Sequence, residues 1–272
     1  TFSAVLGPEF RRVKGLYPDV VTDGPIGQAL QLGWSFSKNS SKHLIAAANH
    51  FIDDNQVLIR DLIDEYVNHP TASVGDIKTF KKQIEKRLPK YEALFHKAAT
   101  ANNWDPLMLI AVAYQESHLN PRARSPTGVR GIMMLTLNTM KELGYDSRLD
   151  PKQSIEGGAK YLAQLRSRLP IQISEPDRTW FTLAAYNMGL GHLEDARSLT
   201  KTQGGNPDRW LEVSARLPLL QKREFYAKSK YGYGRGKQAQ KYVENIRTYY
   251  ELLLWRAEIE SDKASSFEEA SK

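Results

Sequence analysis

Trp104-Asp-Pro-Leu-Met-Leu-Ile-Ala-Val-Ala-Tyr-Gln-Glu-Ser-His-Leu-Asn120, continued by Pro121-Arg-Ala-Arg-Ser-Pro-Thr-Gly-Val-Arg-Gly-Ile-Met-Met-Leu-Thr-Leu-Asn-Thr139, is the stretch that decides the fold. Asp105-Pro106 reads as a helix start: the Asp side chain accepts from free amides, and Pro suits the first helical position. The residues from Leu107 to Tyr114 are apolar on nearly every side, the mark of a buried helix. Into this helix the sequence sets Gln115 and Glu116. Leu109, Val112 and Glu116 share a face by their spacing of three and four. A carboxyl on a core-facing helix loses hydration, which favours its neutral form. A neutral carboxylic acid near neutral pH is what a general acid must be. The plainer alternative is a solvated or ion-paired Glu near a helix end. Pro121, Ser125-Pro126-Thr127-Gly128 and Gly131 then form a loop of turn residues. A buried acid followed by a polar, glycine-rich loop describes the wall of a cleft.

Working outward, Asn68–Gly75 is a polar run with Pro70 and Gly75, and marks a boundary. Downstream of it, Asp76 is expected to cap a helix with Ile77, Phe80, Ile84 and Leu88 on one face. Tyr91, Leu94, Phe95 and Ala98 continue the period. Asp150-Pro151 repeats the Asp-Pro start, and Ile155, Ala159, Leu162 and Leu165 give its buried stripe. The Gly157-Gly158 pair inside it lowers helix propensity, which suggests the close approach of another helix. Pro176 opens a further helix through Trp180 and Tyr186, ended by Gly189 or Gly191. A short helix is expected over 208–213, then an irregular aromatic and basic segment over 218–233. A long helix follows from about Lys237 to Glu260, with Tyr242, Val243, Ile246, Tyr249 and Leu253 inward. A polar, disordered tail is expected over 259–272.

Upstream of the boundary, Val20-Val21 and the alternation Leu30, Leu32, Trp34, Phe36 suggest strands. Asn39-Ser40-Ser41 reads as a helix cap, with amphipathic helices over Leu44–Phe51 and Asn55–Val67.

Composition narrows the chemistry. The chain of 272 residues has no cysteine, so disulfides, thiolate nucleophiles and Cys-based metal sites are excluded. Its net charge of +7 suits an anionic partner, whether nucleic acid, anionic lipid or an acidic wall polymer. The six histidines are scattered without metal-ligand spacing, so neither metal nor cofactor is expected. No run is apolar enough to span a bilayer, and no nucleic-acid-binding motif stands out. The segment with Phe225, Tyr226, Tyr231 and Tyr233 among Lys222, Arg223, Lys228, Lys230 and Arg235 suits either stacked bases or a sugar groove.

Glu116-Ser117-His118-Leu119-Asn120-Pro121, Ser125, Gly128, Gly131-Ile132-Met133-Met134-Leu135 and Thr139 resemble the Glu-Ser and Gly-Leu-Met-Gln blocks of the family 1 lytic transglycosylases. Ala185-Tyr186-Asn187-Met188-Gly189 is similar to that family's third block, Ala-Tyr-Asn-x-Gly. Met-Met in place of Met-Gln, and Tyr231-Gly-Tyr-Gly-Arg-Gly236, resemble the membrane-bound lytic murein transglycosylase F type. The resemblance implies a mainly α architecture. A lysozyme-like catalytic domain over 76–258 would follow a small α/β segment, residues 1–75, similar to the end of a periplasmic solute-binding-type domain.

For activity, the resemblance implies cleavage of the β-1,4 bond between N-acetylmuramic acid and N-acetylglucosamine, leaving a 1,6-anhydro ring. Glu116 would serve as both acid and base; Asp146, Asp150 and Glu156 offer no second carboxylate in a comparable motif. Ser125 would contact the sugar or simply close a turn, with Thr127 beside it. Met133 reads as core filler. Met134 stands where the family commonly has Gln. Tyr186 and Asn187 would bound the saccharide or buttress Glu116, and Tyr242 would hydrogen-bond the Glu116 carboxyl or fill the core. The implied partners are peptidoglycan strands, with muropeptides at the upstream segment and no nucleic acid. The implied place is the periplasm, held at the outer membrane through an anchor that this chain does not carry. The alternatives are a hydrolytic muramidase, for which two carboxylates are the usual requirement, and a non-catalytic wall-binding module.

Overall fold

The computed structural model describes residues 36–37, 41–56, 59, 74–126 and 128–270, the side chains of 74–76 and 261–270 excepted. The chain divides into two compact units, Thr1–Val74 and Gly75–Lys272.

The described part of the first unit is helix α1, Lys42–Asp54, whose cap is Ser41: its hydroxyl accepts from the Leu44 amide at 3.2 Å. Ala48 is buried, while Leu44, Ile45 and Phe51 are exposed. The expected strand around Val20-Val21, all of the Leu30–Phe36 strand but Phe36, and most of the second upstream helix lie outside the described residues; Phe36 itself is not in a strand.

The second unit is helical, with no strand among its described residues. It comprises α2 (Val74–Arg87), α3 (Glu92–Ala101), α4 (Pro106–Ser117), α5 (Leu137–Glu142), α6 (Pro151–Arg168) and α7 (Asp177–Met188). Then come α8 (Leu190–Thr202), α9 (Trp210–Ser214), α10 (Arg223–Tyr226) and α11 (Gly236–Ala270). Helix α2 begins at Val74, two residues before the expected Asp76 cap. Helix α11 continues to Ala270, through the residues expected to form a disordered tail.

Helix α4 is the axis of the core. Every residue from Met108 to Tyr114 is buried, as its all-round apolar sequence requires. Asp105 Oδ1 accepts from the Leu107 and Met108 amides at 2.7 and 3.2 Å, and Pro106 follows at the first helical position. Helix α11 packs along α4 and α7, and α6 packs against α3 and α7. Three rings bind α2, α4 and α11 together. Tyr114 meets Phe80 and Tyr249 edge-on, each at 4.7 Å, and Phe80 stacks on Tyr249 at 5.2 Å. The C-terminus of α6 is capped by a guanidinium. Arg178 Nη2 donates to the Arg166 and Leu169 carbonyls, and Nη1 to those of Pro170 and Ile173. A cation suits that end of a helix, where carbonyls lack intrahelical partners.

The glycine pair in α6 makes room for two neighbours, one of them on another helix. A Cβ on Gly158 would fall 2.6 Å from the Met133 side chain, and one on Gly157 would fall 3.0 Å from Met140 Sδ. Met140 belongs to helix α5, so another helix does approach Gly157 as expected, while at Gly158 the space is taken by Met133 of the preceding loop.

Candidate active site

Glu116 sits in the last turn of α4, next to the left-handed residues that end it, His118 (φ 53°) and Leu119 (φ 59°). Four contacts fix this turn. The Ser117 hydroxyl donates to the Ile132 carbonyl at 2.7 Å and accepts from the Asn120 amide at 3.1 Å. Arg87 donates to the His118 carbonyl at 2.7 Å, and the His118 ring stacks on Tyr114 at 4.8 Å. His118 thus has a structural place beside the acid.

The Glu116 side chain retains some access to solvent but is crowded by protein. Tyr242, from the first turns of α11, donates its phenolic proton to Glu116 Oε1 at 2.6 Å. Burial pushes the Glu116 carboxyl up from the ordinary carboxylate range to about 7, and the Tyr242 hydrogen bond pulls partly the other way by favouring the anion. Tyr242 and Tyr186 are both held well above the usual phenol value, first by burial and then by the nearby Glu116 charge. Both therefore stay protonated and act as donors at neutral pH. Tyr186 donates to the Met133 carbonyl at 2.7 Å, which ties α7 to the loop beyond Glu116. Its ring lies 5.4 Å from that of Tyr161 on α6. Asn187 is half-buried in the next position of α7.

The loop from Ala123 to Leu135 is folded by its own backbone. Arg130 bridges to Arg124 on one side and to Leu135 on the other. Ser125 exchanges backbone bonds with Val129 and Gly128, and its hydroxyl accepts from the Val129 amide at 3.2 Å. Those bonds are the turn chemistry of the two readings given for Ser125. Thr127 lies outside the described residues. Met133 is fully buried against Gly158, as a filler would be, and its amide donates to the buried Ser154 hydroxyl at 3.3 Å. Met134 is half-buried and holds a left-handed backbone, φ 49°, rare for a residue without the freedom of Gly or Asn.

Two further determinants hold the loop, of which only Gly131 was read from the sequence. Arg148 Nη1 donates to the Gly128 and Leu135 carbonyls at 2.9 and 3.2 Å, clamping the loop across its mouth. Gly131 combines φ +87° with a Cβ direction aimed 1.8 Å from the Arg148 carbonyl, so no larger residue fits. An arginine carries no local pattern that announces a clamp; the Gly-Ile-Met-Met block at least pointed to Gly131. Of the downstream carboxylates, Asp150 caps α6, accepting from the Gln153 amide at 2.8 Å, and the Glu156 charge helps raise the Tyr145 phenol.

The site thus joins a half-neutral carboxyl to two phenols and a rigid polar loop, an arrangement suited to moving one proton onto and off a bound oxygen. Comparison with known proteins places most of this segment in a described family. Residues 93–208 match the model of the family described as "Transglycosylase SLT domain". Glu116, the loop and Tyr186 lie inside that segment; Tyr242 lies beyond it. The membrane-bound lytic murein transglycosylase F of Saccharophagus degradans is 46% identical over 255 residues, covering 91% of this chain and 50% of that protein. That of Shewanella pealeana is 57% identical over 225 residues, covering 82% of this chain and 47% of that protein. The chain spans about half the length of the curated relatives it matches. The crystal structure of the 70 kDa soluble lytic transglycosylase of Escherichia coli is similar in part, with 22% identity over 80% of this chain and 31% of that one at a TM-score of 0.47. Residues 93–208 belong to the transglycosylase SLT domain family, and the chain around them is a relative of the membrane-bound lytic murein transglycosylases F.

Proposed function

We propose that this chain carries the lysozyme-like catalytic unit of a peptidoglycan lytic transglycosylase, with Glu116 as its single acid and base. The observation that carries the reading is one carboxyl poised near neutrality and oriented by Tyr242. Neutral Glu116 gives its proton to the oxygen bridging N-acetylmuramic acid C1 and N-acetylglucosamine C4. The C1–O bond breaks and the N-acetylglucosamine leaves with a free 4-hydroxyl. The Glu116 carboxylate then takes the proton of the muramic acid C6 hydroxyl, whose oxygen bonds to C1 and closes the 1,6-anhydro ring. Glu116 ends protonated, as it began, and no water is consumed. Because the nucleophile belongs to the same sugar, the second step has the advantage of an intramolecular reaction. A carboxyl that is half neutral at pH 7 suits both transfers.

Tyr242 orients the carboxyl and stabilises its anion between the two steps. Tyr186, Asn187, Ser125, Thr127 and Met134 are the residues assigned to sugar contact. Residues 1–75 fit the end of a periplasmic solute-binding-type domain, where muropeptides would act. The place of action is the periplasm, next to the outer membrane. Among the described residues no helix is long and apolar enough to cross a membrane.

The test is mass spectrometry of sugars released from purified peptidoglycan, with Glu116→Gln beside the wild type. Anhydromuramyl ends from the wild type, and release reduced about 10²–10⁴-fold in the variant, are expected for loss of a general acid. Hydrated reducing ends would replace the reading with a muramidase. No release by the wild type would replace it with a binding module.

A further inference from the structure

The aromatic, basic segment after α9 takes no part in the chemistry above, yet it is the most deliberately built surface near the site. Its centre is the loop Ser229–Arg235. Asp195, a buried carboxylate on α8, accepts from the Lys230 amide at 3.0 Å and from the Tyr231 amide at 2.9 Å. The Ser229 hydroxyl contacts the Gly232 carbonyl and amide, each at 3.1 Å. The Gly234 amide donates to the Leu220 carbonyl at 3.2 Å. Gly236 passes so close to Leu217 that a Cβ there would lie 1.7 Å from its carbonyl oxygen. The loop is therefore pinned at both ends and in the middle.

On this rigid loop two large rings face outward. Tyr231 and Tyr233 are each 52% exposed, unlike the tyrosines of the core. The Lys230 ammonium lies 5.3 Å from the Tyr231 ring centre, and Tyr226 supports Tyr233 edge-on at 5.7 Å. Aromatic rings left in water on a pinned loop are poor solubilising residues but good stacking platforms, because little freedom is lost when something lies on them. Within 218–237, Lys222, Arg223, Lys228, Lys230, Arg235 and Lys237 are exposed and Glu224 is the only acidic residue of that stretch, with the buried Asp195 beneath the loop.

The platform adjoins the candidate site. Tyr231 packs over Gly191, where a Cβ would lie 2.8 Å from its ring, and Gly234 meets Met188 and His192. These neighbours directly follow Tyr186 and Asn187 in the chain. From Gly236, α11 needs about 9 Å of rise to reach Tyr242 and its bond to Glu116. A strand seated at Glu116 would thus have rings and cations along its path.

We propose that Tyr231 and Tyr233 form a remote subsite for the glycan strand, taking the apolar faces of sugars distant from the bond cut. The surrounding cations take the carboxylates of the attached stem peptides. The proposal rests on the glycan-cleaving reading for its choice of ligand. Sugar rings offer flat C–H faces that suit tyrosine, and stem carboxylates match the local charge. Nucleic acid also offers flat faces and anions, and is the competing outcome.

The test uses the 272-residue chain with Glu116→Gln, so that strands bind without being consumed. Retention on purified sacculi is measured for this protein and for the same protein with Tyr231→Ala, Tyr233→Ala or both, over a salt series. A loss of about three- to tenfold in affinity per ring is expected, with recovery when each tyrosine becomes Phe, which keeps the stacking face. Both rings are half-exposed, so an unchanged melting temperature accompanies the loss. Undiminished retention in the double alanine variant overturns the proposal. So does tyrosine-dependent retention of single-stranded DNA in preference to sacculi, with a steep salt slope. The catalytic reading fails separately: tyrosine-dependent retention on sacculi, with no anhydro product from wild-type Glu116, leaves the subsite standing and removes the enzyme.

Discussion

At Glu116 the free-energy balance turns on one proton. Desolvation favours the neutral acid, and the Tyr242 hydrogen bond favours the anion. Removing that bond with Tyr242→Phe therefore raises the Glu116 pKa further. An alkaline limb of kcat/KM is expected near pH 7 for the wild type and should move upward in the variant, while the rate falls as the carboxyl loses its orientation. A pH profile reads this, and a limb that stays in place would reduce Tyr242 to core filling. Stability carries the same sign. The folded pKa lies above the ordinary value of 4.5, so between about pH 4.5 and 7 the native state holds a proton that the unfolded chain has released. Glu116 thus contributes a penalty that grows as pH rises through this window and is complete above it. Glu116→Gln should raise stability at pH 8 by on the order of 2 kcal/mol, allowing for partial solvent access, and by little at pH 4.5. Thermal melts at the two pH values check it. The sequence made Glu116 legible because a carboxylate inside an apolar helix is locally odd. Tyr242 was nameable only through resemblance, since 126 residues separate it from the acid.

Among elements, the loop that follows α4 is the least tolerant of change. Gly131→Ala meets both a positive φ and the Arg148 carbonyl, so it should destabilise by more than about 3 kcal/mol. Gly144→Ala has a similar φ, +83°, with open space around the new methyl, and should cost only about 1 kcal/mol. Denaturant melts of the two variants separate steric collision from backbone strain. The long elements were legible: α2, α6 and most of α11 as apolar stripes, and α4 as an all-round apolar run between its Asp-Pro start and Glu116. Helix α8 was missed because Gly189 reads as a terminator. In the structure Gly189 turns the chain at φ +87° and the next helix starts at Leu190, without a loop between them. Residues 217–226 read as irregular because their single turns, Leu217–Gln221 and Arg223–Tyr226, are too short to show a period. The polar 261–270 stretch read as a tail for want of an apolar stripe, yet it has no Pro or Gly to stop a helix already under way.

Across the whole second unit, α11 is fastened to both ends of α4 by phenols. Tyr242 reaches Glu116 in the last turn, and Tyr250 donates to the N-cap carboxylate Asp105 at 2.7 Å. Loss of the second bond through Tyr250→Phe should lower stability by about 1 kcal/mol, without moving the pH limb that Tyr242→Phe moves. Paired melts and pH profiles distinguish the latch from the active-site bond. Such long-range fastening has no sequence signature; burial of the Tyr249 face was predictable, and the partner of Tyr250 was not.

The order of these parts along the chain has a consequence in time. A ribosome adds about 5–20 residues per second, so Tyr242 is made about 6–25 s after Glu116. During that interval the nascent chain holds its acid on an uncovered apolar helix with no phenol to orient it. A polypeptide interrupted anywhere before α11 would leave both the core and the acid unfinished. The site is thus completed by the late-synthesised helix: a chain that stops short of it carries Glu116 with no Tyr242 to orient the carboxyl.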